Sequence, residues 1–451
     1  MTTFDLVDPC TGSVRGTCPD GDASAVAEAV MAARRAATTW SALTTRERAE
    51  RLARLAARVA ERAAAYGDAE RAGTGKPGGE ALPEISQAAD LFRFYGGAIR
   101  GDLAPAGGQL IAGHESWVRW EPCGVVAAIV PWNYPLLMAA WRCAPALAAG
   151  NTVVLKPAET TPDSALLLAE DAAECLGPGV LRTVTGGREC GRLLVEADVD
   201  AIAFTGSVRG GTDVARRAGL RRISLELGGN CPVIVFPDAP YRTWDALADA
   251  VTYNAGQSCA APARVIAIGS AYDGVVEQLS AALAERTAGR DFGPLNNPDQ
   301  ADRYDRLVGG AKAGIRKAGT VAGPGGGFWR PACVLADLPA DDPAITEEVF
   351  APVLTVQRAS NAAEALELAN GMPQALAASV WSADISSALL TARGLRAGEV
   401  WVNCHLVQSA ELPHGGRGAS GNGTDLSVLA LAEYQRPKTV TVDLSVTSPL
   451  P

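Results

Sequence analysis

The sequence predicts an α/β protein built from two sheet-centred layers, the first of them doubly wound. Three observations lead there. Between residues 124 and 236, six short apolar segments alternate with helical stretches: "GVVAAIVP", "TVVLKP", "LRTVTG", "AIAFTG", "RISLEL" and "CPVIVF". Segments this apolar are buried on both faces, which implies a parallel sheet covered by helices. Four more follow residue 259, "ARVIAIG", "APVLTVQR", "ALAASVWS" and "GEVWVN", and predict a second sheet. The 451 residues, 48% of them apolar, suffice for two or three such cores.

The elements follow in order. Ahead of residue 104 the chain reads as mostly helical. "DASAVAEAVMAARRAATTW" and "TTRERAERLARLAARVAERAAAYG" place Ala, Leu and Val three and four residues apart. Thr44 or Thr45 can cap the second helix, with Glu47 in its first turn. The Arg/Glu mixture on that helix is a solvated face. "APAGGQLIAGHESWVRWEP", residues 104–122, reads as extended, and so does the tail "PKTVTVDLSV". Lone extended segments are not stable. These two are expected to pair and to offer an edge to another subunit.

Composition excludes several functions. A net charge of -10 and a pI near 5.0, with no basic cluster, exclude nucleic acid and anionic membranes as main partners. No apolar run reaches the roughly 18 residues of a membrane span. "MTTFDLVDPCTGSV" carries Asp5 and Asp8 where a secretory leader is basic. The ten cysteines are scattered, with no C-x-x-C, as expected of free thiols in a reducing cytoplasm. His114, His405 and His414 are the only histidines, so no metal site is expected; Cys404-His405 lacks further ligands at zinc spacing.

Several residues could carry chemistry. Cys259 lies in "VTYNAGQSCAAPAR", between a helical stretch and a buried strand, among very small neighbours. Most free cysteines are structural. This one sits on a loop between scaffold elements, where catalytic residues concentrate, and a thiolate is a strong nucleophile. Glu226 in "SLELGGNCP" interrupts an apolar strand. It is either a structural carboxylate or a general base. Gly228 and Gly229 would let a flat ligand approach the backbone. Asn133 in "PWNYP" follows a strand's carboxyl end, where open α/β sheets bind ligands. It could satisfy loop backbone or donate to an oxyanion. Lys156 and Glu159 in "VLKPAE" end the next strand. Gly206 and Ser207 in "FTGS" open a helix that could cradle a phosphate. No G-x-G-x-x-G is present.

The ordered series "PWNYP", "GNTVVLKPAETTP", "FTGS", "LELGGN", "NAGQSCAAPAR", "EEVFAPV" and "PHGGRGASGNG" resembles the aldehyde dehydrogenase superfamily over nearly the whole chain. The resemblance implies a Rossmann-type dinucleotide-binding domain (residues 1–103 and 123–226), an α/β catalytic domain (227–435) and a small β oligomerisation arm (104–122 and 436–451). It implies that Cys259 is the nucleophile and Glu226 the general base. Asn133, with the Cys259 backbone N–H, would form the oxyanion hole. For the cofactor it implies Pro131, Trp132, Lys156, Pro157, Ala158, Glu159, Gly187, Phe204, Gly206, Ser207, Leu227, Gly228, Glu348 and Phe350. The implied reaction is NAD-dependent oxidation of an aldehyde to a carboxylic acid through a thiohemiacetal and a thioester. Glu159 can bond a ribose 2'-hydroxyl and would repel a 2'-phosphate, which favours NAD, with NADP as the alternative.

The carboxyl-terminal stretch, with "PHGG" and "DLS", resembles the aminobutyraldehyde dehydrogenase branch. Leu137, Trp141, Ser258, Gln408, Glu411 and His414 are expected near the substrate tunnel, with His414 where many relatives carry an aromatic or apolar residue. Glu411 would favour an ω-amino aldehyde such as 4-aminobutanal, or lie solvated at the rim. Ala351 departs from the family's usual glycine in "EEVFAPV". A homodimer or homotetramer in the cytoplasm is expected. The competing readings are an aldehyde dehydrogenase that passes its thioester to coenzyme A, against which Glu226 argues; a non-catalytic member, which would have lost Cys259 or Glu226; and a Cys-His hydrolase, which needs a histidine brought to Cys259 by folding, since no motif around the three histidines suggests a base.

Overall fold

The computed structural model describes residues 2–101 and 107–444. Five parallel strands form the first sheet, in the order Leu181–Thr183, Thr152–Lys156, Val125–Ile129, Ala201–Gly206, Arg222–Leu227. Every second side chain explains the double winding. Val126, Ala128 and Val130 face a core shared with helices Thr45–Glu61, Gly78–Gly101 and Pro135–Ala148. Val125, Ala127 and Ile129 face the opposite core, under helices Ala23–Ser41, Arg188–Glu196 and Val208–Ala218. The chain reverses its direction of travel across the sheet between Val125–Ile129 and Ala201–Gly206. Crevices at such switch points hold ligands.

The second sheet has seven strands, ordered Ile315–Ala318, Cys333–Ala336, Val353–Ala359, Pro262–Ile268, Cys231–Val235, Ala377–Trp381, Glu399–Val402. Its first strand is antiparallel and the rest run parallel. The structure therefore corrects one grouping: "CPVIVF" belongs to this sheet and not to the first. Gly228 to Asn230 carry the chain across, so Glu226 closes one sheet just before Cys231 opens the other. Carboxyl ends of the first sheet's strands thus meet amino ends of the second's.

The two stray extended segments do pair. Gly107–Ile111, His114–Pro122 and Gln435–Asp443 form a three-stranded antiparallel sheet. The expected arm, 104–122 and 436–451, lies outside the described residues at 104–106 and 445–451. An amino-terminal hairpin, Thr2–Val7 with Val14–Asp20, was not anticipated. Its strands alternate poorly, with Leu6 and Cys18 as the buried side chains. All ten cysteines are unpaired. Among the described residues no helix is long and apolar enough to cross a membrane.

Helix Thr45–Glu61 carries the expected capping box. Thr44 Oγ1 accepts from the Glu47 N–H at 3.2 Å, and Glu47 accepts from the Thr44 N–H at 2.8 Å. Removing the cap by Thr44→Ala should cost about 1 kcal/mol. A lowered thermal midpoint with unchanged activity is the expected outcome.

Candidate active site

The centre lies where the two sheets meet. Cys259 precedes strand Pro262–Ile268, and Glu226 is the penultimate residue of strand Arg222–Leu227. His414 joins them from the carboxyl-terminal loops, where it bridges Asp425 through both backbone hydrogen bonds, 2.8 and 2.7 Å. The Cys259 sulfur, a Glu226 oxygen and a His414 ring nitrogen all lie within 4.8 Å of one another. Glu226 and His414 are buried and Cys259 is half-buried. The Cys-His reading was set aside for want of a histidine motif. The structure corrects its premise, because folding brings His414 to Cys259 across 155 positions (414 - 259).

Electrostatics follow from burial. Desolvation pushes the Cys259 thiol up to about 12, the Glu226 charge adds to this, and His414 opposes it. Burial works against a charge on His414. The neighbouring Cys259, Glu226 and Glu399 outweigh it, and the imidazole sits well above its ordinary range. Glu399 holds Nδ1 at 2.9 Å, and the Trp141 ring packs edge-on at 5.1 Å. Buried Arg142 pairs with Asp425 at 2.9 Å and bonds Thr205 and Ser224. Asp425 is pushed up to about 7 by burial, which Arg142 resists.

The Cys259 loop is held by force. Asn254, Ala255 and Gly256 all have positive φ, 49°, 53° and 70°. The first two are not glycines, and each such residue costs about 1–3 kcal/mol. At Gly256 a Cβ would lie 2.4 Å from the Ala351 carbonyl. A buried network compensates. Gln257 donates to the Asn254 and Pro294 carbonyls and accepts from the Asn296 N–H. Asn133 Nδ2 donates to the Gln257 carbonyl at 2.9 Å, which ties "PWNYP" to this loop. Lys76 Nζ donates to the Asn133 carbonyl at 3.0 Å and pairs with Glu84 at 2.6 Å, both side chains buried. Tyr253 donates to Glu84, and Glu80 accepts from the Asn254 N–H. Burial pushes Glu80 up to about 7, against Lys76.

A cavity of about 540 Å³ is lined by Leu137, Trp141, Gln408 and Glu411, together with Asp90 and Arg93. His414 lies beneath it, against Trp141. Ser258 is buried beside Tyr134 and is not in the cavity lining. Glu411 is exposed and bonds Ser409.

The residues expected to hold the cofactor follow the carboxyl ends of the first sheet's strands. Pro131 and Trp132 follow strand Val125–Ile129, and Trp132 meets Phe350 edge-on at 5.6 Å. Lys156 is buried, which lowers its pKa, and reaches exposed Glu159 at 3.7 Å; Pro157 and Ala158 lie between them. Gly187 begins helix Arg188–Glu196 with open space where a side chain would be. Ser207 caps helix Val208–Ala218, after Phe204 and Gly206. Leu227 and Gly228 lead to Glu348, whose oxygen would lie 2.2 Å from a Cβ at 228. Glu348 accepts from the Gly229 N–H at 3.1 Å, and burial pushes it up to about 8. Phe350 has φ 56°, and Ala351 beside it is buried.

The model of the aldehyde dehydrogenase family matches residues 1–440. The chain belongs to that family. It is 36% identical to aldehyde dehydrogenase family 2 member B4, mitochondrial, from Arabidopsis thaliana, over 98% of this chain and 86% of that protein. A betaine aldehyde dehydrogenase mutant from Staphylococcus aureus, solved with NAD+, is 29% identical, with TM-score 0.94 over 99% of this chain and 95% of that one. A P. syringae indole-3-acetaldehyde dehydrogenase mutant, in complex with NAD+ and IAA, is 34% identical, with TM-score 0.92 over 98% and 93%. This enzyme is accordingly an NAD(P)-dependent oxidoreductase of aldehydes. The carboxyl edge of the first sheet fits a dinucleotide in this dehydrogenase. It offers a helix amino terminus at Ser207, a buried ammonium beside an exposed carboxylate, and a side-chain-free approach at Gly187.

Sequence reasoning missed Lys76, Glu80, Glu84, Arg142, Gln257, Glu399 and Asp425. Lys76 was readable as a charge in "GTGKPGG", but nothing local marks it as buried. Lys76→Met would leave Glu84 buried without its partner, at a cost of about 3–5 kcal/mol. Adding Glu84→Leu should recover part of the loss. Thermal unfolding of the dehydrogenase and both variants measures this.

Proposed function

We propose that this dehydrogenase oxidises its aldehyde by covalent catalysis on Cys259. The carrying observation is the convergence of Cys259, Glu226 and His414 where the two sheets meet. The Cys259 sulfur attacks the aldehyde carbon, and the carbonyl electron pair moves to oxygen. Asn133, fixed through Gln257, Lys76 and Asn254, donates to that oxyanion. Because the thiol is held protonated, its proton passes to the Glu226 carboxylate as the bond forms and on to solvent before hydrolysis. NAD+, when bound, accepts the hydride that leaves the substrate carbon, and Cys259 then holds a thioester. Glu226 takes a proton from water, which hydrolyses the thioester to a carboxylic acid and frees the thiol. An intact base in reach of the sulfur supports water, not coenzyme A, as the acceptor.

Lys156, Pro157, Ala158 and Glu159 hold the adenosine ribose in this reading, with Gly187 against adenine. Phe204, Gly206 and Ser207 hold the pyrophosphate. Pro131, Trp132, Leu227, Gly228, Glu348 and Phe350 enclose the nicotinamide side. The substrate enters through the cavity of Leu137, Trp141, Gln408 and Glu411, with His414 packed behind Trp141. Exposed Glu411 at the rim supports an ω-amino aldehyde, while Asp90 there is paired with Arg93 at 2.9 Å. The three-stranded sheet, with the exposed aromatic faces of Trp117 and Trp120, supports assembly into a homodimer or homotetramer.

Cys259→Ala should abolish NADH formation. Glu226→Gln should leave a single-turnover burst followed by slow release, and Asn133→Ala should cut kcat by about 10²–10³. Parental NADH production by Cys259→Ala would sink the reading. Steady-state kinetics on 4-aminobutanal against hexanal test the substrate class. A higher kcat/KM for 4-aminobutanal is expected, and a preference for hexanal would refute the amine reading.

A further inference from the structure

We propose that Cys259, Glu226 and His414 form a binding site for a single zinc-like divalent cation, whose occupancy blocks the nucleophile. Scarce histidines had predicted no metal site, but one histidine suffices when folding adds a thiol and a carboxylate. Four features carry the inference.

The donor set comes first. Thiolate sulfur, imidazole nitrogen and carboxylate oxygen together suit zinc better than calcium or magnesium. Spacing comes second. The three donor atoms lie within 4.8 Å of one another, and His414 Nε2 is 3.4 Å from Glu226 Oε1. Metal bonds of about 2.0–2.3 Å in tetrahedral array put ligands roughly 3.3–3.7 Å apart. One side is at that separation already, and the sulfur needs to close by about an ångström. Third, apart from their own ion-pair contact the donors are unemployed. Both Glu226 oxygens and His414 Nε2 are buried, with 1% of each side chain exposed, and have no hydrogen-bond partner. Buried polar atoms without partners are costly, and a cation would satisfy all three.

The fourth feature is the support behind the ligand. Glu399 accepts from His414 Nδ1 at 2.9 Å, which leaves Nε2 directed toward Glu226 and Cys259. A carboxylate behind a histidine is the usual way a zinc-ligating imidazole is oriented. On binding, the thiol proton and any proton on Nε2 pass to solvent, and sulfur and nitrogen each donate a lone pair. Three protein ligands leave a fourth position for water. A sulfur engaged with the cation cannot attack an aldehyde carbon. The site itself stands on geometry alone; its effect on turnover rests on the dehydrogenase reading.

The test uses the full-length enzyme, stripped with a chelator and titrated with zinc chloride by calorimetry. One ion per subunit at micromolar or tighter affinity is expected. Cobalt(II) should give a thiolate charge-transfer absorption that Cys259→Ala removes. His414→Phe should weaken zinc by at least about 10-fold, and Glu399→Gln by about 10-fold through the second ligand layer. Zinc should also slow alkylation of Cys259 by iodoacetamide, and EDTA should restore it. The inference is overturned if the parent shows no saturable binding at micromolar zinc. It is equally overturned if His414→Phe and Cys259→Ala bind as the parent does, since binding then lies at other thiols. Binding is read without turnover, so its failure leaves the oxidation mechanism standing. NADH formation by Cys259→Ala would sink that mechanism without touching the zinc data.

Discussion

A reactive sulfur must be presented on a backbone that would not adopt its shape unaided, and the rest of the site is organised around that constraint. Three successive residues before Cys259 carry positive φ, two of them with side chains. The compensation is a buried web of amide and carboxylate contacts through Gln257, Asn254, Asn296 and Glu80. The same web fixes Asn133. The amide that would meet the oxyanion is therefore positioned by the residues that strain the nucleophile's loop. Geometry at the sulfur and at the oxyanion is one property of the fold.

Charge burial is the second theme. Glu84 with Lys76, Asp425 with Arg142, and Glu226 with His414 all occur out of solvent. Replacing such pairs with apolar residues is commonly neutral for stability, so their retention here fits function better than strength. Each pair sits behind a different part of the reaction. Lys76 steadies the loop of Asn133, Arg142 and Asp425 adjoin Glu226, and His414 adjoins both Glu226 and Cys259, the base and nucleophile of the proposed mechanism. Removing one partner strands a charge next to the chemistry.

Both sheets contribute ends and not faces to the centre. The parallel strands deliver Asn133, Ser207 and Glu226 from their carboxyl ends, while the loops before Cys231, Pro262 and Val353 deliver Gly228, Cys259 and Glu348 from the other side. In the proposed mechanism the dinucleotide and the aldehyde meet at the Cys259 sulfur. Small residues around Cys259 keep that meeting point open, as the run "GQSCAAP" suggested.

The sequence by itself determined the five strands of the first sheet, five of the second sheet's seven (it missed Ile315–Ala318 and Cys333–Ala336), the capped second helix and the motifs that mark the family, because apolar runs, caps and short motifs are local in the chain. It named Cys259, Glu226 and Asn133 for the same reason: each departs from its immediate surroundings. It put "CPVIVF" in the wrong sheet, since apolar strands look alike whichever neighbour they pair with. It overlooked the hairpin at the amino terminus, whose alternation is weak. Only the tertiary structure decided that His414 stands between the thiol and the carboxylate, that Lys76 is buried under Asn133, and that Arg142 finds Asp425. Those are encounters between residues dozens to hundreds of positions apart, and the desolvation that gives them their chemistry does not exist until the chain has closed around them.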